Sequence, residues 1–259
     1  MKLTKIEDYW SNVGRTLEER DNEEQVIAGD NDVFYKYKRS RFLQELSTIV
    51  EWQDQAILEY GCGPGGNLKF LSQFHPSNLY GVDISSEMLS HAKANTRDLN
   101  CPVSLMQNDG KTISLDNKSC DISITSTVLQ HNIEDENVIH ILRELARISR
   151  NKVIVCEHTE KNRKQLHDHF VGRPLSFFAS HMEKAGFELK QTQYLNIEVS
   201  YFLLGIIRKV FNPKTRKEGE SISKISSRMQ KLVFPLSRRL DPLWKSNREM
   251  TIMVFERVS

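Results

Sequence analysis

The spacing of apolar residues changes once along the chain. Over residues 1–55 they fall at helical intervals, with Phe42, Leu43, Leu46, Ile49 and Val50 on one stripe among polar neighbours, which predicts amphipathic helix. Beyond that the apolar runs shorten. Residues 56–60, 79–82, 103–106, 121–125 and 152–156 are compact stretches in which Ile, Leu and Val recur, as expected of strands buried on both faces. Helical stretches lie between them: 67–74, then a segment capped by Ser85 that carries Met88, Leu89 and Ala92, then 134–149. Residues 175–185 predict a further helix, stopped by Gly186. Residues 187–199 alternate like a strand, and 250–256 form the last one.

Strands that alternate with helices in this way predict an α/β fold, a doubly wound and mostly parallel seven-stranded sheet. The chain divides into an N-terminal helical segment (1–55), an α/β core (56–199), a helical insertion or cap (200–247) and a final core strand (248–259). The insertion is too long for a hairpin loop. Ligands of such sheets bind at the carboxyl ends of the strands, and the glycine-rich and acidic segments of this chain sit at those ends.

The densest signal is Glu59-Tyr60-Gly61-Cys62-Gly63-Pro64-Gly65-Gly66. Glycines let a chain turn sharply from strand to helix and approach a ligand closely. Gly61, Gly63 and Gly66 fit the dinucleotide pattern G-x-G-x-x-G, and Asp83 lies at the distance expected of a ribose-binding acid. By that pattern alone an NAD-dependent oxidoreductase remains an alternative. Glu59 favours a cationic ligand over a pyrophosphate, which it would repel. Gly110-Lys111-Thr112 resembles the end of a phosphate loop, but Leu105 stands where that loop needs glycine.

The run Glu59-x-Gly61-x-Gly63-x-Gly65 resembles the first motif of class I S-adenosylmethionine-dependent methyltransferases. The resemblance implies S-adenosylmethionine as cofactor. It places Glu59, Gly61, Cys62 and Gly63 around the methionine part, Asp83 on the ribose, and Ile84 and Met88 beside the adenine. Asn108, Asp109 and Gly110 would lie near the adenine amino group. Tyr37 or Arg41, ahead of the first strand, would reach the cofactor carboxylate. The segment from Cys120 to His131 resembles the fourth-strand region of the family's small-molecule branch, with Ser126 and Thr127 beside the cofactor. It lacks the Asn/Asp-Pro-Pro-aromatic tetrad of the enzymes that methylate nucleic-acid and protein amines, which argues against a nucleic-acid substrate.

Methyl transfer from a sulfonium has a good leaving group, so the protein mainly positions the acceptor. A hydroxyl acceptor must still lose a proton. His131 is the first candidate base, followed by Glu157 and His158 at the end of the fifth strand. His167-Asp168-His169 invites a metal reading, but no further ligand is spaced to complete a site, and no metal is expected. A non-catalytic, methyltransferase-like binding subunit is the other alternative.

Charge adds one feature. Residues 200–259 hold 13 Lys/Arg and 5 Asp/Glu, a net +8, while the other residues hold 23 and 29, a net −6. A basic, apolar insertion suits a lid over the site, or contact with an anionic membrane or a lipid-linked acceptor. The order of elements around it resembles methyltransferases of bacterial surface-polysaccharide clusters. That resemblance implies a small-molecule or glycan acceptor, with O-methylation of a sugar-containing substrate. Cys62, Cys101, Cys120 and Cys156 form no C-x-x-C pair. With no secretory pattern in the first thirty residues, they suggest a reduced, cytoplasmic protein.

Overall fold

The computed structural model describes residues 3–17, 26–167, 169–216, 220–245 and 249–258. Two helices come first, α1 (Leu3–Leu17) and α2 (Val33–Ile49). Asp32 caps α2 by accepting from the N–H groups of Phe34 and Tyr35 at 3.0 and 3.2 Å, satisfying donors that a helix start leaves unpaired. Strands and helices then alternate: β1 (Ala56–Tyr60), α3 (Gly66–Leu71), β2 (Asn78–Asp83), α4 (Ser86–Thr96), β3 (Val103–Gln107), β4 (Cys120–Ser126), α5 (Asp135–Ile148) and β5 (Ser149–Thr159). A small hairpin, β6 (Lys164–His167) with β7 (Phe170–Gly172), precedes α6 (Leu175–Lys184) and β8 (Phe187–Tyr194). Helices α7 (Glu198–Phe211) and α8 (Lys224–Leu240) separate β8 from β9 (Glu249–Arg257).

Seven strands form one sheet in the order β3-β2-β1-β4-β5-β9-β8. The first five run parallel, and β9 is antiparallel to both neighbours. This is the doubly wound sheet that the sequence predicts. Successive residues of a strand face opposite sides, and here both sides are buried. Ile57, Ile154 and Ile252 pack with Phe42, Leu46 and Ile49 of α2. Leu58, Val153 and Met253 pack with Ile141, Leu145 and Phe178 beneath α5 and α6. Between β1 and β4 the strand order reverses, which opens a crevice at their carboxyl ends.

Two boundaries differ from the sequence expectation. The strand expected over 187–199 ends at Tyr194. Asn196 turns the chain in the left-handed region at φ 52°. Asp241 then accepts from the Ser200 amide at 2.9 Å and its hydroxyl at 2.7 Å inside α7. The β6–β7 hairpin was not predicted; His167 lies on it, and Asp168 is outside the described residues.

None of the insertion's described residues lines the crevice at the strand ends. Leu204 and Ile207 of α7 join the apolar layer of α2. Arg208 pairs with Asp30 and Asp32 and lies 4.6 Å from the centre of the Tyr35 ring. Arg216 also pairs with Asp30. The insertion is therefore bound to α2 and to the segment before it. The expected lid over the site is corrected on this point.

The loop after β4 is held from behind. Glu157, at the end of β5, is fully buried. Its carboxylate accepts from the N–H groups of Val128 and Leu129 at 2.9 Å each and of Gln130 at 3.1 Å. Burial pushes this carboxyl up to about 7, against the pull of those three donors. Arg173, also buried, donates to the carbonyls of Leu129, Asn132 and Ile133 and pairs with Asp135 at 2.8 Å. Replacing Glu157 with Gln turns an amide donor toward backbone donors. Denaturant unfolding at pH 8 should show a loss of about 1–3 kcal/mol. Arg173→Met leaves three carbonyls without their donor, while Asp135 keeps Arg163 at 3.0 Å, and should cost about 1–3 kcal/mol. Unchanged midpoints for both variants would show that the loop holds its shape without them.

Candidate functional site

A hollow of about 700 Å³, counting its open mouth, lies at the crevice between β1 and β4. Gly61 and Gly63 form its floor, with Asp83 and Ile84 at the end of β2 and Met88 on α4. Asn108 and Gly110 follow from the end of β3. The loop after β4 supplies Ser126, Thr127, Val128, His131 and Asn132. Ile6 and Trp10 of α1 and Ala28 close the top.

The glycine loop is fixed by close packing. Gly61 has φ +72°, and a Cβ there would lie 2.3 Å from Val128 Cγ2. A Cβ on Gly66 would meet the Val26 carbonyl oxygen at 2.1 Å, so the segment leading to α2 crosses directly over this loop. Gly63 faces open space, its nearest neighbour for an added Cβ being Ala28 at 4.0 Å. Asp83 ties the loop to β2. One oxygen accepts from Gly63 N–H at 2.8 Å and the other from Ser85 N–H at 3.0 Å. Burial raises its pKa against those bonds. Thr127, a β-branched residue, sits at φ +58°. Its amide is held by the Cys156 carbonyl at 2.8 Å, and such strain is characteristic of functional loops.

The structure thus gathers Gly61, Gly63, Asp83, Ile84, Met88, Asn108, Gly110, Ser126 and Thr127 around one hollow. Other expected contacts point elsewhere. The Tyr37 hydroxyl donates to Asp241 at 2.9 Å, and burial pushes its pKa up to about 12. Arg41 pairs with Glu45 at 2.9 Å along its own helix. Asp109 accepts from the N–H groups of Lys111 and Thr112 at 2.9 and 2.7 Å, bonds that lower its pKa, and it is exposed. Glu59 and Cys62 are buried under the loop rather than on the wall. Burial raises Glu59 to about 8. It accepts from Asn67 Nδ2 at 2.7 Å, and its other oxygen has no hydrogen bond among the described residues.

Among the three catalytic candidates only His131 reaches the hollow. Glu157 holds the loop from behind. The backbone N–H of His158 donates to Gln130 Oε1 at 3.1 Å and its ring contacts Glu160 at 3.1 Å, away from the wall. His131 stacks edge-on with Trp10 at 5.1 Å between ring centres. Its Nδ1 lies 3.1 Å from the His169 carbonyl and so carries the proton, while Nε2 lies 3.3 Å from the Gln130 amide. Burial holds its pKa down at about 4, so the ring is neutral at pH 7.

Sequence reasoning missed three groups. Arg39 donates to Asn67 Oδ1 at 3.1 Å and brings a guanidinium against Gly66. Trp10 and Asn132 stand on the wall. The only available signal for Arg39 was a cation in the aromatic stretch of α2, where Tyr37 and Arg41 looked equivalent. Among the described residues no three His, Cys, Asp or Glu side chains group as metal ligands.

The donors present fit the cofactor that the glycine motif implies. Gly63 leaves room for a ligand against the main chain. Among the described residues Asn108 Nδ2 is buried without a well-formed hydrogen bond, and a buried donor of that kind suits an acceptor from a ligand.

Residues 57–152 match the family model described as a methyltransferase domain. No curated protein matches the sequence. Among solved structures, magnesium protoporphyrin IX methyltransferase from Synechocystis PCC 6803, solved with bound SAM, is 17% identical with a TM-score of 0.62, covering 99% of this chain and 97% of that one. A putative sarcosine dimethylglycine methyltransferase from Galdieria sulphuraria is 14% identical with a TM-score of 0.58, covering 95% and 98%. The [4+2]-cyclase SpnF is 13% identical with a TM-score of 0.66, covering 99% and 97%. At these identities the likeness is one of fold, and one fold hosts different chemistries. Residues 57–152 thus match a methyltransferase domain model, and the chain as a whole shares its fold with solved methyltransferases.

Proposed function

We propose that the protein transfers the methyl group of S-adenosylmethionine to a hydroxyl of a small-molecule or glycan acceptor, a sugar-containing one in the first place. The observation that carries this reading is the roofed hollow above Gly61, Gly63 and Asp83. Apart from Asp83 and the Tyr60 and His131 rings, the polar groups on its walls are neutral: Asn108, Ser126, Thr127 and Asn132. Neutral donors and acceptors around an aromatic ring suit a hydroxyl-bearing molecule.

In this proposal Asp83 holds the ribose, Asn108 the adenine edge, and Arg39 the methionine carboxylate. The bound cofactor supplies a methyl group on a positively charged sulfur, open to in-line displacement. The protein orients the acceptor and excludes water. Trp10 and Ile6, from the N-terminal helix, take the role in acceptor choice first expected of the insertion. His131 forms part of the wall. Both its nitrogens are engaged and its pKa is too low for a base near pH 7.

Five outcomes follow. Calorimetry should show binding of S-adenosylhomocysteine and none of NAD(H); the reverse would place the chain among oxidoreductases. Asp83→Ala should weaken S-adenosylhomocysteine more than about tenfold, as expected for losing buried bonds to a charged group; unchanged affinity would take Asp83 off the ribose. His131→Asn should keep turnover within about tenfold of the native enzyme, whereas loss of a true base costs about 10²–10⁴. The same variant tests the pH dependence of stability. In the unfolded chain His131 takes a proton near 6.5, and in the folded chain only near 4. Its contribution to stability is present above 6.5 and falls away as pH drops toward 4, so His131→Asn should flatten that part of an unfolding-versus-pH curve. Labelled methyl transfer into fractionated cell extract identifies the acceptor. Label in small metabolites or glycan supports the proposal, label in RNA or protein overturns the acceptor class, and label in no fraction marks a binding subunit.

A further inference from the structure

Among the described residues, eleven large apolar side chains are exposed, and ten of them lie between Glu198 and Lys245. On α7, Phe202, Ile206 and Val210 are spaced four apart and form one stripe, with Phe202 64% exposed. On α8, Ile225, Leu232 and Leu236 are spaced seven and four apart and form another, with Leu232 73% exposed. Leu243 and Trp244 extend the apolar surface beyond α8. Soluble surfaces scatter such residues singly, and clustering of this kind marks a contact site.

Cations predominate beside these stripes, Glu198 in the first turn of α7 being the acid of the pair. Helix α8 has five Lys/Arg and no Asp/Glu. Arg228 and Arg239 lie within one turn of its apolar stripe, and Lys209 flanks that of α7. The whole segment 200–259 is net +8 on a chain otherwise net −6. Among the described residues no helix is long and apolar enough to cross a bilayer. An apolar face, basic flanks and a terminal Trp are the features of a helix that lies in the headgroup layer.

We propose that the α7–α8 pair docks this protein on an anionic lipid surface. The stripes enter the boundary between headgroups and acyl chains, and the cations meet phosphate-bearing headgroups. The chemistry that distinguishes this occupant from a protein partner is the predominance of cations around apolar residues, with no acidic group on α8 to pair across a protein interface. The docked pair is also wired to the roof of the hollow. Arg208 of α7 holds Asp30 and Asp32, two and four residues from Ala28 on the cavity wall.

Sedimentation of the full chain with vesicles tests this. The protein should pellet with vesicles of mixed phosphatidylcholine and phosphatidylglycerol, and not with phosphatidylcholine alone. Raising salt should release it, since headgroup attraction is screened. Leu232→Ser with Leu236→Ser should weaken vesicle binding at least about tenfold, because each removes apolar surface that enters the membrane. Arg228→Gln with Arg239→Gln should reduce binding and its salt sensitivity. All four positions are exposed, so thermal midpoints should stay at the native value; this separates lost docking from lost folding. Equal binding to neutral vesicles, or none to anionic ones, overturns the proposal. So does a dimer in analytical ultracentrifugation that the Leu232→Ser, Leu236→Ser variant turns into monomer, which would assign the face to a second copy of the chain.

Discussion

The cavity keeps its shape because buried charge satisfies a loop that only a single 3-10 turn, Leu129–His131, orders from within. The main chain after β4 turns away from the sheet, and the N–H groups of Val128, Leu129 and Gln130 find their acceptor in a side chain instead of a strand. Left buried and unpaired, each would cost about 1–3 kcal/mol. Glu157 answers three of the donors and Arg173 three of the acceptors. Charge-assisted bonds of this kind are the stronger ones. The left-handed Thr127, the Val128 methyls against Gly61, and the His131 ring against Trp10 all depend on that arrangement.

The other wall is built from the N-terminus. Helix α1 packs Val13 and Leu17 on Met88, and Ser11 Oγ donates to Ser85 Oγ at 3.1 Å. The segment before α2 crosses Gly66 and is held by Arg208 and Arg216 from the insertion. A ligand therefore meets a preformed floor in the sheet and a roof from elements outside it. That division lets one core fold serve many acceptors.

Much of this was legible in the sequence. The strand runs, the glycine loop and Asp83 are local patterns, and local patterns survive folding. The phase of α2 was not legible. Its aromatics and cations surround the helix, so nothing shows that Tyr37 turns to Asp241 and Arg39 to the glycine loop. Glu157 read as a catalytic base because a carboxylate at a strand end looks the same whether its partners are a substrate or the main chain. Asp109 misled for a related reason: its turn supplies two N–H donors that the side chain takes itself. The insertion read as a lid because apolar and basic residues together suit either a pocket or a surface. The ion pairs to Asp30 and Asp32 that decide between them join residues far apart in sequence.

The account rests on one placement: a cofactor lying between the glycine loop and Asp83, beneath Trp10. A crystal structure of the chain with S-adenosylhomocysteine tests it most directly. The account predicts the ribose hydroxyls on Asp83, the adenine edge at Asn108 and the sulfur facing Asn132 and Trp10. A ligand bound elsewhere, or ribose turned away from Asp83, would contradict it.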